Sequence, residues 1–206
     1  MLFVKKLSAA IFIVLLTFII SCNKEGQKNP PHKIDLSSRD ALLSEAKKIL
    51  GSDAQMIIPG KFAGDTTKEF IAGTEINKPD KWGIQFHFLK EADNNLENVF
   101  ETGLLEGSFT DGIVKKENTL NSGYDLIYYN SLDYYLGSGG GEVFAYLIDF
   151  SKKQTYYSHL IIEKGRKISL FLSENETPEV KNYFLGIFKK DYPDLRVVDK
   201  DINLDD

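Results

Sequence analysis

The sequence predicts an α+β fold: an antiparallel β-sheet that ends in a three-strand meander, flanked by an N-terminal and a C-terminal helix. Apolar residues recur at helical spacing in residues 38–50 and again in 177–192. Between them lie eight segments rich in β-branched and aromatic residues. Because these strands do not alternate with helices, the pattern favours an antiparallel sheet over a doubly wound parallel one.

The first helix is predicted over residues 38–50. Ser37 or Ser38 is available as the N-cap, and Gly51 is expected to end the helix. The residues that share its apolar face are Leu42, Ala46, Ile49 and Leu50. This spacing is typical of a surface helix that buries one side.

The second helix is better marked. Thr177 can cap it, Pro178 suits its first turn, and it should end near Tyr192 and Pro193. An apolar and aromatic stripe runs along it, formed by Val180, Tyr183, Phe184, Ile187 and Phe188. We interpret this stripe as a face packed in the core rather than as a ligand surface.

The strands are predicted from short runs with high β-propensity. They cover residues 55–58, 69–74, 83–89, 98–106, 124–129, 142–150, 155–163 and 167–173. The last three are joined by the short polar segments SKKQ and KGR, which predicts the antiparallel meander. In 142–150 both sets of alternating residues are apolar, so this strand should be central, with a helix over at least one face.

The N-terminus has the pattern of an export signal. Lys5 and Lys6 precede the apolar stretch Leu7–Ile20, which at about fourteen residues is short for a membrane span. The stretch ends in Ile19-Ile20-Ser21-Cys22, which resembles the lipobox of bacterial lipoproteins. The resemblance implies cleavage before Cys22 and attachment of diacylglycerol and an N-acyl group to that cysteine. The mature chain would then be tethered to a membrane outside the cytoplasm.

The resemblance also implies a sorting step and a domain division. The residue after the cysteine is Asn23 rather than the aspartate that retains many lipoproteins at the inner membrane, which favours an outer-membrane destination in a Gram-negative cell. We divide the chain into a signal peptide (1–21), the lipidated cysteine with a polar, proline-containing tether (22–37) and one α+β domain (38–206). Cys22 is the only cysteine, so the chain can form no internal disulfide.

Charge excludes several classes of function. The full chain carries a formal charge of −5, and the leader contains two lysines and no acid, so the part from Cys22 onward carries −7. Nucleic-acid binding depends on basic patches that neutralise phosphates, and no such run follows the leader. We therefore expect no nucleic-acid partner, and we expect contact with the membrane only through the lipid anchor.

Catalytic and metal signatures are weak. The glycine cluster at residues 137–141 lacks the Lys-Ser or Lys-Thr of a nucleotide loop and is followed by Glu142, so we interpret it as a flexible connection. His87 and His159 lie within predicted strands, and no Gly-x-Ser-x-Gly or His-x-x-x-His occurs. We therefore predict no catalytic residue, no metal site and no cofactor beyond the lipid on Cys22.

The candidate binding surface is a tyrosine-rich region beside the glycine cluster. It comprises Tyr124, Tyr128, Tyr129, Tyr134, Tyr135, Gly139 and Gly140. Aromatic residues beside a mobile loop are typical of contact surfaces, although tyrosines are also ordinary strand residues. The leading hypothesis is a non-catalytic, lipid-anchored envelope protein that binds an envelope or extracellular partner here.

The alternative is a lipid-anchored hydrolase of an envelope polymer. Such an enzyme would use two carboxylates as acid and base, and Asp125, Asp133 and Glu142 are the candidates around the same loop. A cleft that holds two close carboxylates would favour the hydrolase, whereas a flat or convex tyrosine surface would favour binding.

Overall fold

The computed structural model describes residues 38–64, 68–93, 95–134, 139–163, 167–173 and 176–199, with only the backbone at residues 134 and 199. The helices are α1 (Arg39–Leu50) and α2 (Pro178–Asp191). The strands are β1 (Ala54–Gly60), β2 (Glu69–Lys78), β3 (Lys81–Ala92), β4 (Asn95–Glu101), β5 (Ile113–Glu117), β6 (Leu126–Tyr134), β7 (Gly141–Asp149), β8 (Gln154–Glu163), β9 (Lys167–Leu172) and β10 (Arg196–Asp199). The described region is thus rich in β-structure with two helices, a mixed α+β fold.

The strands form two sheets. The N-terminal sheet has the order β1-β2-β3-β4, and all its neighbours are antiparallel. The C-terminal sheet has the order β10-β9-β8-β7-β6-β5. Its neighbours are also antiparallel except β9 and β10, which are parallel because α2 carries the chain back across the sheet between them.

Three apolar clusters hold these layers together. One lies between the two sheets and includes Phe62, Phe86, Phe88, Tyr129, Tyr146 and Phe150. The second joins α1 to the outer face of the N-terminal sheet, with Leu42 and Ala46 against residues such as Phe70 and Leu89. In the third, Val180, Phe184 and Phe188 of α2 pack on the outer face of the C-terminal sheet. The order of layers is therefore helix, sheet, sheet, helix.

Strand β7 lies between β6 and β8, and both of its faces are covered. Val143, Ala145 and Leu147 belong to the cluster with α2, whereas Tyr146 and Ile148 belong to the cluster between the sheets. Successive strand residues point to opposite faces, so burial of both faces explains why residues 143–148 are all apolar.

The helix ends follow the local sequence. The Ser38 hydroxyl accepts a hydrogen bond from the Ala41 amide at 3.1 Å, and Gly51 ends α1 at φ 90°. Thr177 occupies the N-cap position of α2, but its side chain makes no capping hydrogen bond. No helix in the described ranges is both long and apolar enough to span a bilayer.

Some details of the predicted sheet were wrong. The strands form two sheets rather than one, and one strand pair is parallel. The short strands β5 and β10 were not predicted, because they are charged and have no clear alternation. The strand predicted at 98–106 ends at Glu101, and only Leu105 pairs again, as an isolated bridge to Ile84.

Candidate functional site

The structure does not gather the predicted tyrosines on an exposed surface. Tyr128 and Tyr129 are consecutive residues of β6, and both are buried, at 2% and 0% exposure. Tyr128 packs on the α2 side of the sheet and Tyr129 lies between the sheets. Burial raises the pKa of Tyr128 to about 12 and raises that of Tyr129 further, so both remain neutral core residues.

The other members of the predicted surface are dispersed. Tyr124 is half-buried against the α2 cluster, and its hydroxyl donates to Asp149 Oδ2 at 3.0 Å. Gly139 is exposed and Gly140 is buried, just before β7. Tyr134 is described only by its backbone, and Tyr135 lies outside the described residues. Cys22, the signal peptide and the tether also lie outside them, so the structure does not address the lipidation site.

A cleft of about 250 Å³ lies on the inner face of the C-terminal sheet, which we call the acidic cleft. It lies near the end of β6 and the start of β7, where polar residues replace the buried aromatic residues that face the N-terminal sheet. Its lining consists of Trp82, Glu106, Gly107, Asp111, Ser131, Leu132, Asp133 and Phe144. The charged lining residues are all carboxylates, and Glu106, Asp111 and Asp133 are exposed to solvent.

Two buried tyrosines position one wall of this cleft. The Tyr129 hydroxyl donates to the Glu106 carbonyl at 2.9 Å, and the Glu106 amide donates to the Tyr146 hydroxyl at 3.2 Å. Gly107 has φ 109°, and a Cβ there would overlap Ser131 and the Tyr129 hydroxyl. The wall therefore approaches β6 closely only because residue 107 is glycine.

The other polar residues are held by short local contacts. The Ser108 hydroxyl donates to Asp111 Oδ2 at 3.0 Å and accepts from the Asp111 amide at 3.2 Å, which closes the turn before β5. Trp82 stands near the start of β3, opposite Asn77, with 48% of its surface exposed. The cleft is thus bordered by an aromatic ring that is largely open to solvent.

A carboxylate and a histidine lie beside the cleft. Glu142 pairs in register with Asp133 across β6 and β7, on the strand face that also carries Phe144. Glu142 Oε2 and His159 Nε2 are 2.6 Å apart, and the His159 ring stacks on Phe144 at a centroid distance of 4.5 Å. These two side chains retain 23% and 19% exposure, so a ligand can reach them.

Asp125, the third candidate carboxylate, lies elsewhere. It precedes β6, and eight residues of extended strand separate it from Asp133 by about 26 Å. Its Oδ2 accepts from the Lys61 amide at 2.9 Å and lies 3.5 Å from Lys116 Nζ. The structure therefore brings together Asp133 and Glu142 but not Asp125.

The remaining histidine within the sheets has a structural environment. His87 is 6% exposed, and its Nε2 lies 2.9 Å from the Thr74 hydroxyl. Burial lowers the pKa of His87, while the nearby Glu101 carboxylate partly opposes that change. Within the described ranges, no three His, Cys, Asp or Glu side chains are arranged to hold a metal ion.

Most residues of the cleft carry no sequence signal. Trp82, Glu106, Asp111 and Phe144 come from separate segments, and no motif links them. The only signal available was Trp82 itself, the single tryptophan of the chain, which follows the polar turn between β2 and β3. Comparison of the chain with protein-family models, curated proteins and solved structures gave no match.

Proposed function

We propose that this chain is a lipid-anchored cell-envelope protein that binds a basic segment of an envelope or extracellular protein in the acidic cleft, without catalysis. In this proposal the floor of the site is formed by β6 and by β7, which is the first strand of the C-terminal three-strand meander, β7 to β9. The flanking helices cover the outer faces of the sheets and leave the cleft open at its side.

The export signal supports the proposed location. The charged start, the apolar stretch Leu7–Ile20 and the lipobox-like Ile19-Ile20-Ser21-Cys22 favour lipidation of Cys22 and anchoring outside the cytoplasm. Each buried methylene contributes about 0.8 kcal/mol, so two or three acyl chains anchor a protein stably. Asn23 favours the outer membrane if the cell is Gram-negative.

Replacement of Cys22 by alanine should move the protein from the membrane fraction to the soluble fraction. We expect mass spectrometry of the N-terminal peptide to find lipid on Cys22 in the wild type and none in Cys22→Ala. Ser8→Ala, within the apolar stretch, serves as a control that should leave the lipid in place. An unmodified Cys22 in the membrane-bound wild type would contradict this part of the proposal.

The exposed Trp82 at the border of a carboxylate-lined cleft is the observation that carries the binding proposal. Tryptophan is enriched at the centre of protein interfaces, and its ring face attracts Lys and Arg side chains. The carboxylates of Glu106, Asp111 and Asp133 complement the same cations. Asp111 is oriented by Ser108, and the backbone of Glu106 by two tyrosines, so the cleft is largely formed before a ligand arrives.

Photocrosslinking in intact cells tests this site. A benzoylphenylalanine at Leu104, which lies beside Gly83, should form an adduct with a partner protein. We expect Trp82→Ala to lower the adduct yield at least tenfold, because loss of an interface tryptophan commonly costs about 2 kcal/mol or more. Neutralisation of the cleft by Glu106→Gln and Asp133→Asn should lower it similarly.

Two controls show whether the crosslinked adduct depends on the acidic cleft. A second photoprobe at Ile49, which is 41% exposed on α1, should give no adduct that depends on Trp82. Glu97→Gln, an exposed carboxylate on β4, is the matched charge control. An adduct at Leu104 whose yield is the same in the wild type, Trp82→Ala and the neutralised variant would overturn the cleft as the binding site.

The second candidate function is a hydrolase of an envelope polymer, and the opposed carboxylates of Asp133 and Glu142 favour it. Two observations weigh against it. Burial is what prepares a carboxyl group as a general acid, but Asp133 is exposed. Glu142 is hydrogen bonded to His159. The crosslinking experiment separates the two functions, because a polymer hydrolase predicts no Trp82-dependent protein adduct.

A further inference from the structure

A second concave surface lies on the opposite face of the C-terminal sheet. It is an open groove of about 520 Å³ between the connection from β5 to β6 and the first two turns of α2. Residues 118–121 form one side, and Glu179, Asn182 and Tyr183 form the other. We call it the polar groove. Its volume falls within the 300–1,000 Å³ that is usual for small-ligand sites.

The lining is polar and almost uncharged. It contains the carboxamides of Asn118, Asn121 and Asn182, the Thr119 hydroxyl and the Tyr183 phenol. Glu179 is the single charged residue of the lining, and no lysine or arginine contributes. Among the residues that the structure describes, none of the three carboxamides has a hydrogen-bond partner, so their donors and acceptors remain free for a ligand.

A phenol hydroxyl lies beside the groove. The Tyr183 hydroxyl is shielded from solvent, and within the described ranges no acceptor makes a well-aligned hydrogen bond with it. Its ring packs edge-on against Tyr128, which is 2% exposed. Burial raises the pKa of Tyr183 and the nearby Glu117 carboxylate raises it further, so the phenol stays neutral and can donate. A ligand oxygen in the groove would compete with Glu117 for this donor.

The wall formed by residues 118–121 is held in place before any ligand binds. Leu120 and Asn121 both have positive φ, at 57° and 50°, which is unusual for a leucine. The Leu120 side chain packs against the α2 cluster. The Ser122 amide donates to the Thr119 carbonyl at 3.3 Å, and the Ser122 hydroxyl donates to the Tyr124 carbonyl at 2.6 Å. A preformed wall lowers the entropy cost of binding.

We propose that the polar groove binds a neutral oligosaccharide. Carboxamides both donate and accept hydrogen bonds, as sugar hydroxyls do, so the two groups match in kind. An anionic ligand is disfavoured because the lining offers no cation and Glu179 would repel it. The groove lies on the α2 side of the sheet, whereas the acidic cleft lies on the other side, so this inference is independent of the proposed protein-binding site.

Calorimetry on the detergent-solubilised full chain tests the proposal. The probes are chitotetraose and maltotetraose, which are neutral, and tetragalacturonate, which is anionic. We expect at least one neutral probe to bind with a Kd below the millimolar range and tetragalacturonate to bind at least tenfold more weakly. Asn182→Ala and Tyr183→Phe should each weaken the neutral probe, the former at least tenfold. Glu179→Gln should reduce the discrimination against tetragalacturonate.

Controls keep the result specific to the groove. Asn95→Ala removes an exposed carboxamide at the start of β4 and should leave the affinity unchanged. Trp82→Ala, in the acidic cleft, should also leave it unchanged, so failure of either site is seen separately. The proposal is overturned if neither neutral probe binds, or if binding persists undiminished in both Asn182→Ala and Tyr183→Phe.

Discussion

Alanine in place of Glu69 is expected to lower the free energy of unfolding by about 3 kcal/mol. Glu69 begins β2, and its side chain is fully buried. Oε2 accepts hydrogen bonds from the backbone amides of Phe62 and Ala63, the second at 2.8 Å. Oε1 makes no hydrogen bond with the described residues but lies 3.4 Å from Lys90 Nζ. The Glu69 carboxylate therefore holds the connection between β1 and β2 against the start of β2.

The cost arises because alanine leaves the two amides without their acceptor. Each unsatisfied buried donor costs about 1–3 kcal/mol, and hydrogen bonds to a charged acceptor are the stronger kind. Lys90 contributes less, since its side chain is 22% exposed and can reach water. The loss also loosens Phe62, whose ring packs against Phe88 and Phe150 between the sheets.

Urea unfolding followed by circular dichroism measures this effect. Glu69→Gln keeps one acceptor oxygen, so it should cost less than Glu69→Ala. Glu97→Ala removes an exposed carboxylate from β4 and should change stability by no more than about 0.5 kcal/mol. If Glu69→Ala were as stable as Glu97→Ala, the carboxylate would not be what holds the connection.

The parts of the fold that could be predicted are those set by interactions between residues close in sequence. Helix α1 begins and ends where its serine cap and Gly51 indicate, because these interactions involve residues close in sequence. The eight predicted strands all correspond to strands of the structure. Strands β5 and β10 were missed since their short, charged sequences carry no periodic signal.

The division into two sheets could not be read from periodicity. Alternation tells which residues of a strand share a face, but it does not tell which strands pair or what covers each face. The sequence pattern of β7 indicated that both its faces are buried. The cover on one face is α2, and on the other it is a second sheet rather than a helix.

The same reasoning explains why the burial of Tyr128 and Tyr129 could not be predicted. The sequence shows that Tyr128 and Tyr129 point to opposite faces of β6, but only the packing shows that both faces are covered. The acidic cleft joins residues 82, 106–111, 131–133 and 144, which are far apart in the chain. Sites of this kind depend on tertiary contacts, so a single sequence without a motif does not indicate them.

Glu176 is expected to make the stability of the protein depend on pH near neutrality. Its carboxylate accepts from the Tyr157 amide at 2.9 Å through Oε1, while Oε2 is buried without a hydrogen-bond partner in the described part of the chain. Burial raises the pKa of Glu176 to about 7, and the Tyr157 hydrogen bond and the Lys181 charge oppose this only in part. In the unfolded chain the pKa returns to about 4.3.

The direction of this pH dependence follows from the number of protons that Glu176 binds in the folded and unfolded states. Between about pH 4.3 and 7 the folded protein retains the Glu176 proton that the unfolded chain has released, so protonation favours the folded state. This contribution is complete below pH 4.3, falls as the pH rises, and is lost above about 7. Glutamine is a neutral substitute whose carbonyl still accepts from Tyr157. Glu176→Gln should therefore stabilise the protein at pH 8 by about 2 kcal/mol, once partial exposure is allowed for.

Urea unfolding of the wild type and of Glu176→Gln at pH 5 and pH 8 measures the contribution of Glu176 alone, because all other titrating groups are the same in both proteins. The difference between the two proteins should reach its full value at pH 8 and be smaller by at least about 1 kcal/mol at pH 5. Glu163→Gln, at the exposed end of β8, should show no such change. A difference that is the same at both pH values would mean that Glu176 does not hold its proton in the folded protein.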